Sequence, residues 1–258
     1  MTFTFLMCIN KETPFFIDAI ESMLNQDYEQ YYGICIVAND CTEDLWETLQ
    51  KIEAQNKQVM SLYRTKIGQL SYNLNYGAER ISSDYIVRMD ADDVSMPNRL
   101  SKTRKIIEES NYPDVAGASA IIINEDGKVI GKSSAAISEK SLKRLIKFKN
   151  PLVHPACAIK TTVLIEEKGY MGGVHGQDNE LWLRMIRNGR RIIRSDEIIL
   201  EYRINSFQSK GSRIAYAEGA SLRFREFLLT WHPAYLLGAF ARTFYILFCK
   251  VKVALKFK

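Results

Sequence analysis

Short apolar runs of strand type alternate with segments of helical periodicity through the first half of the chain. The strand-like runs, rich in β-branched and aromatic residues, are 2–9, 32–38, 59–63 and 85–89. The segments whose apolar residues recur every three or four positions are 13–24, 42–55 and 70–80. This alternation predicts βαβ units with a parallel sheet.

The pattern becomes less regular after residue 90. It predicts helices at 97–109, 141–148 and 179–188, a hairpin of 115–124 with 128–132, and a strand at 191–200. Thr13 is a candidate helix cap, and Pro14 and Pro97 suit first helical turns, because proline needs no amide donor there. We therefore expect an α/β fold with a mostly parallel central sheet flanked by helices. Residues 111–210 would form a half that receives a second substrate.

Three carboxylates directly follow the predicted strand at 85–89, in the stretch Asp90-Ala91-Asp92-Asp93. Such crowding costs Coulomb energy unless a cation is present, and hard divalent ions that carry phosphates prefer carboxylate oxygen. A metal-held nucleotide is one hypothesis. An acidic turn before the helix at 97–109 is the other, because acidic side chains suit helix N-termini. The four residues alone leave both hypotheses open.

Polar residues also follow the first two predicted strands, at the edge where open α/β sheets bind ligands. Asn10 and Glu12 stand after the first strand in place of the GxGxxG glycines, so a nicotinamide or flavin cofactor is not expected. Asn39 and Asp40 end the second strand and could hydrogen-bond a base or ribose. Asp40 or Thr42 could equally cap the next helix.

Asp178 lies at the start of the predicted helix at 179–188, where helical N–H groups would hold its carboxylate ionised. It could accept a proton from an incoming hydroxyl, or it could serve only as an N-cap. His154 and His175 are two of the three histidines, and each could ligate metal, contact phosphate or be structural.

Charge is unevenly distributed along the chain. Residues 221–258 carry a net charge of +6, whereas the other 220 residues carry −1. We therefore expect no nucleic-acid partner, but a basic tail that could meet an anionic surface. The five cysteines lack zinc-type spacing and indicate a reducing compartment. No secretory signal pattern opens the sequence, so we expect the bulk of the chain in the cytoplasm.

The segment 231–250 is rich in aromatic and aliphatic residues, but Arg242 interrupts it short of a comfortable membrane span. We expect residues 211–258 to form a helical, basic, amphipathic extension. It could lie on the inner-membrane surface as an interfacial helix, or it could pack on the domain or on a second subunit.

Taken in order, these motifs resemble glycosyltransferase family 2, nucleotide-sugar-dependent enzymes of the GT-A fold, over roughly residues 3–205. Residues 74–77 (LNYG) and 83–100 (SDYIVRMDADDVSMPNRL) are similar to the family's "LNxG … GEYIARMDADDxSxPxRL". The further matches are residues 150–155 (NPLVHP) to "NPxxHP", residues 177–184 (QDNELWLR) to "EDYDLWLR", and Tyr202-Arg203 to the "YR" after the last strand.

The resemblance implies a metal-dependent, inverting transferase with a GT-A domain at 1–210, whose nucleotide-binding half is 1–110. Its donor would be a nucleotide-sugar, in particular a UDP-sugar. Its acceptor would be a hydroxyl of a glycan or lipid-linked molecule in polysaccharide or lipopolysaccharide synthesis. The enzyme would be peripheral at the cytoplasmic face of the membrane, and the resemblance leaves oligomerisation open.

The resemblance also implies roles for single residues. Asp92 would coordinate Mn²⁺ or Mg²⁺, Asp90 would contact ribose or metal, and Asp178 would be the acceptor-activating base. The remaining nucleotide-side candidates are Asn10, Glu12, Asn39, Asp40, Asn75 and Arg203. Arg203 could approach the diphosphate or only anchor its loop.

Three departures from the family pattern keep other functions open. Residues 7–10 (MCIN) replace "PVYN", residues 38–41 (ANDC) replace "DDGS", and Gln177 replaces the Glu of "ED". One alternative is a nucleotide-sugar-binding protein without transferase activity. Another is a sugar-1-phosphate nucleotidylyltransferase, although that class would want a glycine-rich basic loop after the first strand.

Overall fold

The computed structural model describes residues 1–133, 135–173, 175–204 and 213–256, with side chains described as far as Phe248. The described strands are β1 (Phe3–Ile9), β2 (Tyr32–Asn39), β3 (Met60–Thr65), β4 (Tyr85–Met89), β5 (Val94–Ser95), β6 (Val115–Ile123), β7 (Val129–Ser133), β8 (Cys157–Lys160) and β9 (Ile192–Arg203). The described helices are α1 (Phe16–Leu24), α2 (Glu43–Gln55), α3 (Leu70–Ala78), α4 (Arg99–Glu109), α5 (Glu139–Leu145), α6 (Thr161–Glu166), α7 (Gln177–Arg187), α8 (Arg213–Thr230) and α9 (Pro233–Lys256). Positions 205–212, 257 and 258 of the predicted domain and extension lie outside the described residues.

One sheet runs through the described chain in the order β3-β2-β1-β4-β8-β6-β9-β5, and β7 pairs with β6. β1 is parallel to β2 and β4, and β2 is parallel to β3, which confirms the predicted parallel half. Beyond β4 the sheet is mixed, because the short β8 runs antiparallel to both of its neighbours, β4 and β6. β6 and β9 are parallel, and the predicted hairpin is confirmed as the antiparallel pair β6–β7.

Side chains of β1 alternate between two hydrophobic cores, as the period of two in a strand requires. Phe5 and Met7 join the core that α1, α2 and α4 cover. Leu6 joins the core on the opposite face, which α3 and α7 cover. α3 lies so close to β1 that a side chain on Gly77 would collide with Leu6. The sheet is therefore packed on both faces, and polar groups at its strand ends are held on a rigid edge.

Several element boundaries differ from the sequence predictions. α1 begins at Phe16 and α4 at Arg99, each two residues after the proline that was expected inside the first turn. Thr13 is not the cap of α1, because its hydroxyl instead accepts the N–H of Phe15 within the preceding turn, at 3.4 Å. Thr42 does cap α2, accepting the N–H of Leu45 at 3.3 Å.

β9 continues three residues beyond its predicted end. Tyr202 and Arg203 therefore lie within β9 and not after it. The reason is pairing with β6, in which Ile122 opposes Tyr202 and Ile123 opposes Arg203. This extra length carries Tyr202 and Arg203 toward the loop that follows β4.

The C-terminal extension is helical, as predicted, and its first part packs on the domain. Arg223 is fully buried and donates to the carbonyl oxygens of Ile146 and Lys147, both at 2.9 Å. Gly238 of α9 lies against the Lys147 carbonyl, in a space that leaves no room for a side chain. None of the described helices combines the length and the apolar character needed to cross a membrane.

Candidate active site

The strand register brings three predicted residues to one edge of the sheet. Ile9 of β1 pairs with Ala38 of β2, so Asn10, which follows β1, and Asn39, which ends β2, lie at the same level. Met7 pairs with Met89 of β4, so Asp90 lies beside them. Because the carboxyl ends of parallel strands share an edge, the acidic stretch and the polar ends of β1 and β2 form one surface.

The carboxylates of Asp90, Asp92 and Asp93 converge after β4, and one ligand oxygen from each lies within 4.8 Å of the other two. Asp93 is fully buried, and its Oδ1 accepts the backbone N–H of Arg203 at 2.8 Å. Its Oδ2 is buried without a hydrogen-bond partner among the described residues. Burial, together with the charges of Asp90 and Asp92, raises the pKa of Asp93. A hard divalent cation fits this oxygen-only set, because it would offset the repulsion and satisfy the remaining oxygen.

Two buried arginines lie beneath the acidic loop. Arg88, inside β4, forms an ion pair with Asp90 and donates to the carbonyl of Leu6 at 3.2 Å. Arg99 donates from one nitrogen to the carbonyls of Arg88 and Pro155, both at 2.7 Å. Their positive charge partly offsets the acidic cluster from below. Neither role was predicted from the sequence. For Arg88 a signal was present, because an arginine inside an apolar strand indicates a buried partner.

Arg203 holds the acidic loop against the end of β9. Its Nε donates to the carbonyl of Asp92 at 2.9 Å, and its Nη1 donates to the carbonyl of Asn124 at 3.0 Å. The guanidinium also lies over the ring of Phe15, 4.1 Å from its centroid. These contacts fit the loop-anchoring alternative, and a contact with diphosphate stays a prediction.

A cleft of about 860 Å³ opens above the acidic loop. Asn10, Asp90, Asp92 and Tyr202 line it together with Asp178. Burial raises the pKa of Tyr202, and the nearby carboxylates of the acidic cluster and of Asp178 raise it further. The Tyr202 hydroxyl therefore lies within electrostatic range of the acidic cluster and of Asp178. The structure thus brings the predicted metal ligands and the predicted base together in one site.

Asp178 lies in the first turn of α7, as predicted. Its Oδ1 accepts the N–H of Asn179 at 2.7 Å, and its Oδ2 accepts the side-chain amide of Asn150 at 2.6 Å. The N–H of Asn179 favours the ionised carboxylate, as expected, but burial outweighs both hydrogen bonds and raises the pKa of Asp178. A carboxylate with a raised pKa is a better proton acceptor than an exposed one.

The two candidate histidines differ in their surroundings. His154 Nε2 hydrogen-bonds the hydroxyl of Tyr170 at 2.8 Å, and its ring packs edge-on against Trp182. Burial, reinforced by the charge of Arg88, holds the pKa of His154 well below its usual value. His175 lines the same cleft, and its backbone N–H donates to Glu218 at 2.9 Å. His154 is thus a neutral, packed residue at the cleft wall.

The other nucleotide-side candidates are outside the lining of the cleft. Asn75 forms a two-point contact with the backbone of Tyr170, donating at 2.9 Å and accepting at 2.8 Å, and so ties α3 to the segment before α7. Asp40 and Glu12 are exposed, and Asn39 is buried at the end of β2. Asp40 adopts a left-handed φ of 48°, a conformation that suits a tight turn at a strand end. Contacts of these residues with a nucleotide stay predictions.

The family model described as glycosyl transferase family 2 matches residues 4–166. The chain belongs to this family of glycosyltransferases. A family relative, the O-antigen biosynthesis glycosyltransferase WbnJ of Escherichia coli, is 34% identical over 86% of this chain and 87% of its own. A second relative from Escherichia coli, UDP-Gal:alpha-D-GlcNAc-diphosphoundecaprenol beta-1,3-galactosyltransferase, is 24% identical over 81% of this chain and 76% of its own.

The fold is also that of solved glycosyltransferase-family structures of GT-A type. The structure of residues 1–349 of TarS from S. aureus, in complex with UDP-GlcNAc, aligns with a TM-score of 0.69 at 15% identity. The alignment covers 88% of this chain and 66% of that one, so the chain spans slightly less than two thirds of its length. At this identity the likeness carries the fold, and the predicted GT-A class is confirmed.

Divalent cation should stabilise the wild-type protein through the acidic cluster. At a free Mn²⁺ concentration a hundred times the dissociation constant, the gain is about 2.7 kcal/mol, measurable as a rise in Tm after EDTA treatment. Asp92→Asn should lose most of this rise, because one ligand charge is gone. Asp27→Asn, which changes an exposed carboxylate away from the site, should keep it. An equal Mn²⁺ effect in wild type and Asp92→Asn would contradict the metal assignment.

Proposed function

We propose that this chain transfers a sugar from a nucleotide-sugar to a hydroxyl group of a saccharide acceptor, with inversion at the anomeric carbon. One observation carries the proposal: Asp178 and the acidic pair Asp90 and Asp92 line the same cleft. The donor diphosphate needs a cation, and the acceptor hydroxyl needs a base. The site offers groups suited to both tasks.

Asp90 and Asp92 would hold Mn²⁺ or Mg²⁺, with the orphan oxygen of Asp93 available behind them. The bound cation would neutralise the charge that grows on the departing nucleoside diphosphate. Asn10, Asn39 and Asp40 lie at the edge where a base and ribose would bind. The UDP-sugars named for TarS and for the galactosyltransferase relative support a UDP-sugar donor.

The reaction would be a single displacement. The acceptor oxygen forms a bond to the anomeric carbon as the bond from that carbon to the diphosphate oxygen breaks. The hydroxyl proton passes to Asp178, whose carboxylate is oriented by the Asn150 amide and the Asn179 N–H. Attack opposite to the leaving group gives the inverted configuration.

Saccharide assembly at a membrane is the setting that the relatives support. WbnJ is named for O-antigen biosynthesis, and the galactosyltransferase relative is named for an acceptor on diphosphoundecaprenol. We infer that this chain acts on a glycan or lipid-linked acceptor of the same general kind. A binding protein without activity is disfavoured, because it would have no use for a buried, oriented Asp178.

The decisive test of transfer is Asp178→Asn. The amide keeps the size of the side chain but cannot accept the proton, so kcat should fall by about 10²–10⁴. Affinity for the UDP-sugar with Mn²⁺, measured by calorimetry, should be unchanged. Undiminished transfer by Asp178→Asn would refute the base assignment. A wild-type protein that binds donor but transfers to none of a panel of saccharide acceptors would favour the binding-protein alternative.

The pH profile of kcat should report the Asp178–Asn150 hydrogen bond. The base works when ionised, so kcat should fall as pH falls through the raised pKa of Asp178. The Asn150 amide stabilises the ionised form, so Asn150→Ala should raise that pKa and move the acid limb to higher pH. Asn56→Ala, at the distant end of α2, is the control. If the acid limbs of wild type and Asn150→Ala coincide, the Asn150 amide does not control the pKa of the catalytic base, and the prediction fails.

We further propose that α9 rests on an anionic bilayer surface. Leu237, Phe240, Phe244 and Leu247 recur at three- and four-residue spacing and are 57–71% exposed, which forms an apolar strip along one side of the helix. Four lysines lie between positions 250 and 258 of the sequence. An apolar face combined with clustered lysines suits a surface of anionic lipid.

Vesicle sedimentation tests whether α9 binds a lipid surface or only packs against protein. The double variant Phe240→Ser/Phe244→Ser should bind anionic phospholipid vesicles about tenfold or more weakly, because it removes two exposed aromatic rings that the bilayer would bury. Tyr31→Ser removes a side chain of 68% exposure outside the extension and is the matched control. Vesicle binding that survives the double substitution would rule out the strip as the contact surface.

A further inference from the structure

The C-terminal helices complete one end of the cleft, far along the chain from the acidic loop. Tyr216 and Gly219 of α8 and Arg242 of α9 line it together with Lys149, which precedes Asn150. We propose that Lys149 and Arg242 form a cationic subsite for a phosphate or diphosphate group carried by the acceptor. This inference rests on the proposed transfer reaction and adds the chemical class of the acceptor to it.

Arg242 is a half-buried cation that lacks a carboxylate partner within the described part of the chain. Its Nε donates to the carbonyl of Phe148 at 3.2 Å, and its guanidinium lies against Gly219 and 5.8 Å from the ring of Tyr216. Burial lowers the pKa of Arg242. A buried charge that meets no opposite charge is costly, so an external anion would stabilise this arrangement.

A second buried cation, Arg223, contacts the same glycine as Arg242, Gly219. Among the described residues, Arg223 donates hydrogen bonds to the carbonyl oxygens of Ile146, Lys147 and Gly219. Burial, together with the nearby charge of Arg242, lowers the pKa of Arg223 to about 9. Two like charges therefore repel each other at this corner, and Lys149 adds a third, exposed charge beside the opening.

Other arginines of the same region show that the chain can supply carboxylates where it needs them. The paired groups are Arg184 with Glu180, Arg187 with Glu226, Arg190 with Glu167, and Arg225 with both Glu180 and Glu226. Glu218, the acidic residue on α8 beside this corner, instead accepts the N–H of His175. The absence of a carboxylate at Arg242 is thus a local feature of the cleft.

The position of the subsite favours the acceptor over the donor. Lys149 is joined to Asn150, whose amide contacts Asp178, so the cations adjoin the proton-accepting side of the cleft. The donor diphosphate has its own cation-binding group at Asp90 and Asp92. α9 also separates two environments, because residues two apart on a helix point to nearly opposite sides. Arg242 faces the cleft, and Phe240 and Phe244 face outward.

Calorimetry with inorganic pyrophosphate in EDTA tests the subsite without the metal. Wild type should bind, and Arg242→Gln and Lys149→Gln should each weaken binding by roughly ten- to a hundredfold, the loss expected for a charge-assisted contact. Arg242→Lys should retain part of the affinity, and Arg144→Gln, on exposed α5, should change nothing. Lys149 is exposed, so its variant should remain folded even if an Arg242 variant does not.

A second binding experiment distinguishes a subsite for the acceptor phosphate from one for the donor phosphate. The affinity for UDP with Mn²⁺ should be unchanged by Lys149→Gln and Arg242→Gln but weakened by Asp92→Asn. An equal loss of UDP affinity in the Lys149 and Arg242 variants would overturn the acceptor assignment, and so would pyrophosphate that fails to bind wild type. Failure of the transfer reaction itself would appear separately, as wild-type protein inactive toward every saccharide acceptor.

Discussion

Mutual repulsion among three converging carboxylates is the constraint around which the site is built. Asp90, Asp92 and Asp93 are held within a few ångströms of one another, and such crowding is unfavourable in a low-dielectric interior. Buried arginines on two strands oppose it: Arg88 through its ion pair with Asp90, and Arg203 through the backbone of the loop. Contacts from two strands therefore position the loop, as the proposed site for a small hard ion would require.

The mixed half of the sheet contacts this loop through β9. β9 pairs with β6 as far as Arg203, whose backbone N–H reaches the buried carboxylate of Asp93. The same strand carries Tyr202, which lines the cleft together with Asp90, Asp92 and Asp178. Asn75 then fixes the segment before α7 to α3. Besides the backbone pairing of β4 with β8, hydrogen bonds of Asp93 and Asn75 therefore tie together segments on both sides of the cleft.

Electrostatics divide the cleft into two ends. The acidic end suits a cation and, through it, the diphosphate of a donor, whereas the opposite end carries Lys149 and Arg242. Asp178 adjoins the basic end through Asn150, and burial raises the pKa of its carboxyl group, which suits the proposed role of proton acceptor. The helical extension contributes one wall of this end and presents its apolar strip outward, so α9 would link the proposed acceptor subsite to the proposed membrane surface.

The local pattern of the sequence was sufficient to predict the parallel half of the sheet, the hairpin, the helical extension and the position of Asp178 in a first turn. Short-range periodicity and turn chemistry control these features. The motif order also pointed to the acidic stretch and the family. Tertiary structure alone determined the antiparallel β8, the length of β9, the anchoring contacts of Arg203 and Arg88, and the raised pKa of Asp178. Those properties depend on burial and on partners distant in the chain, and neither is encoded in local sequence spacing.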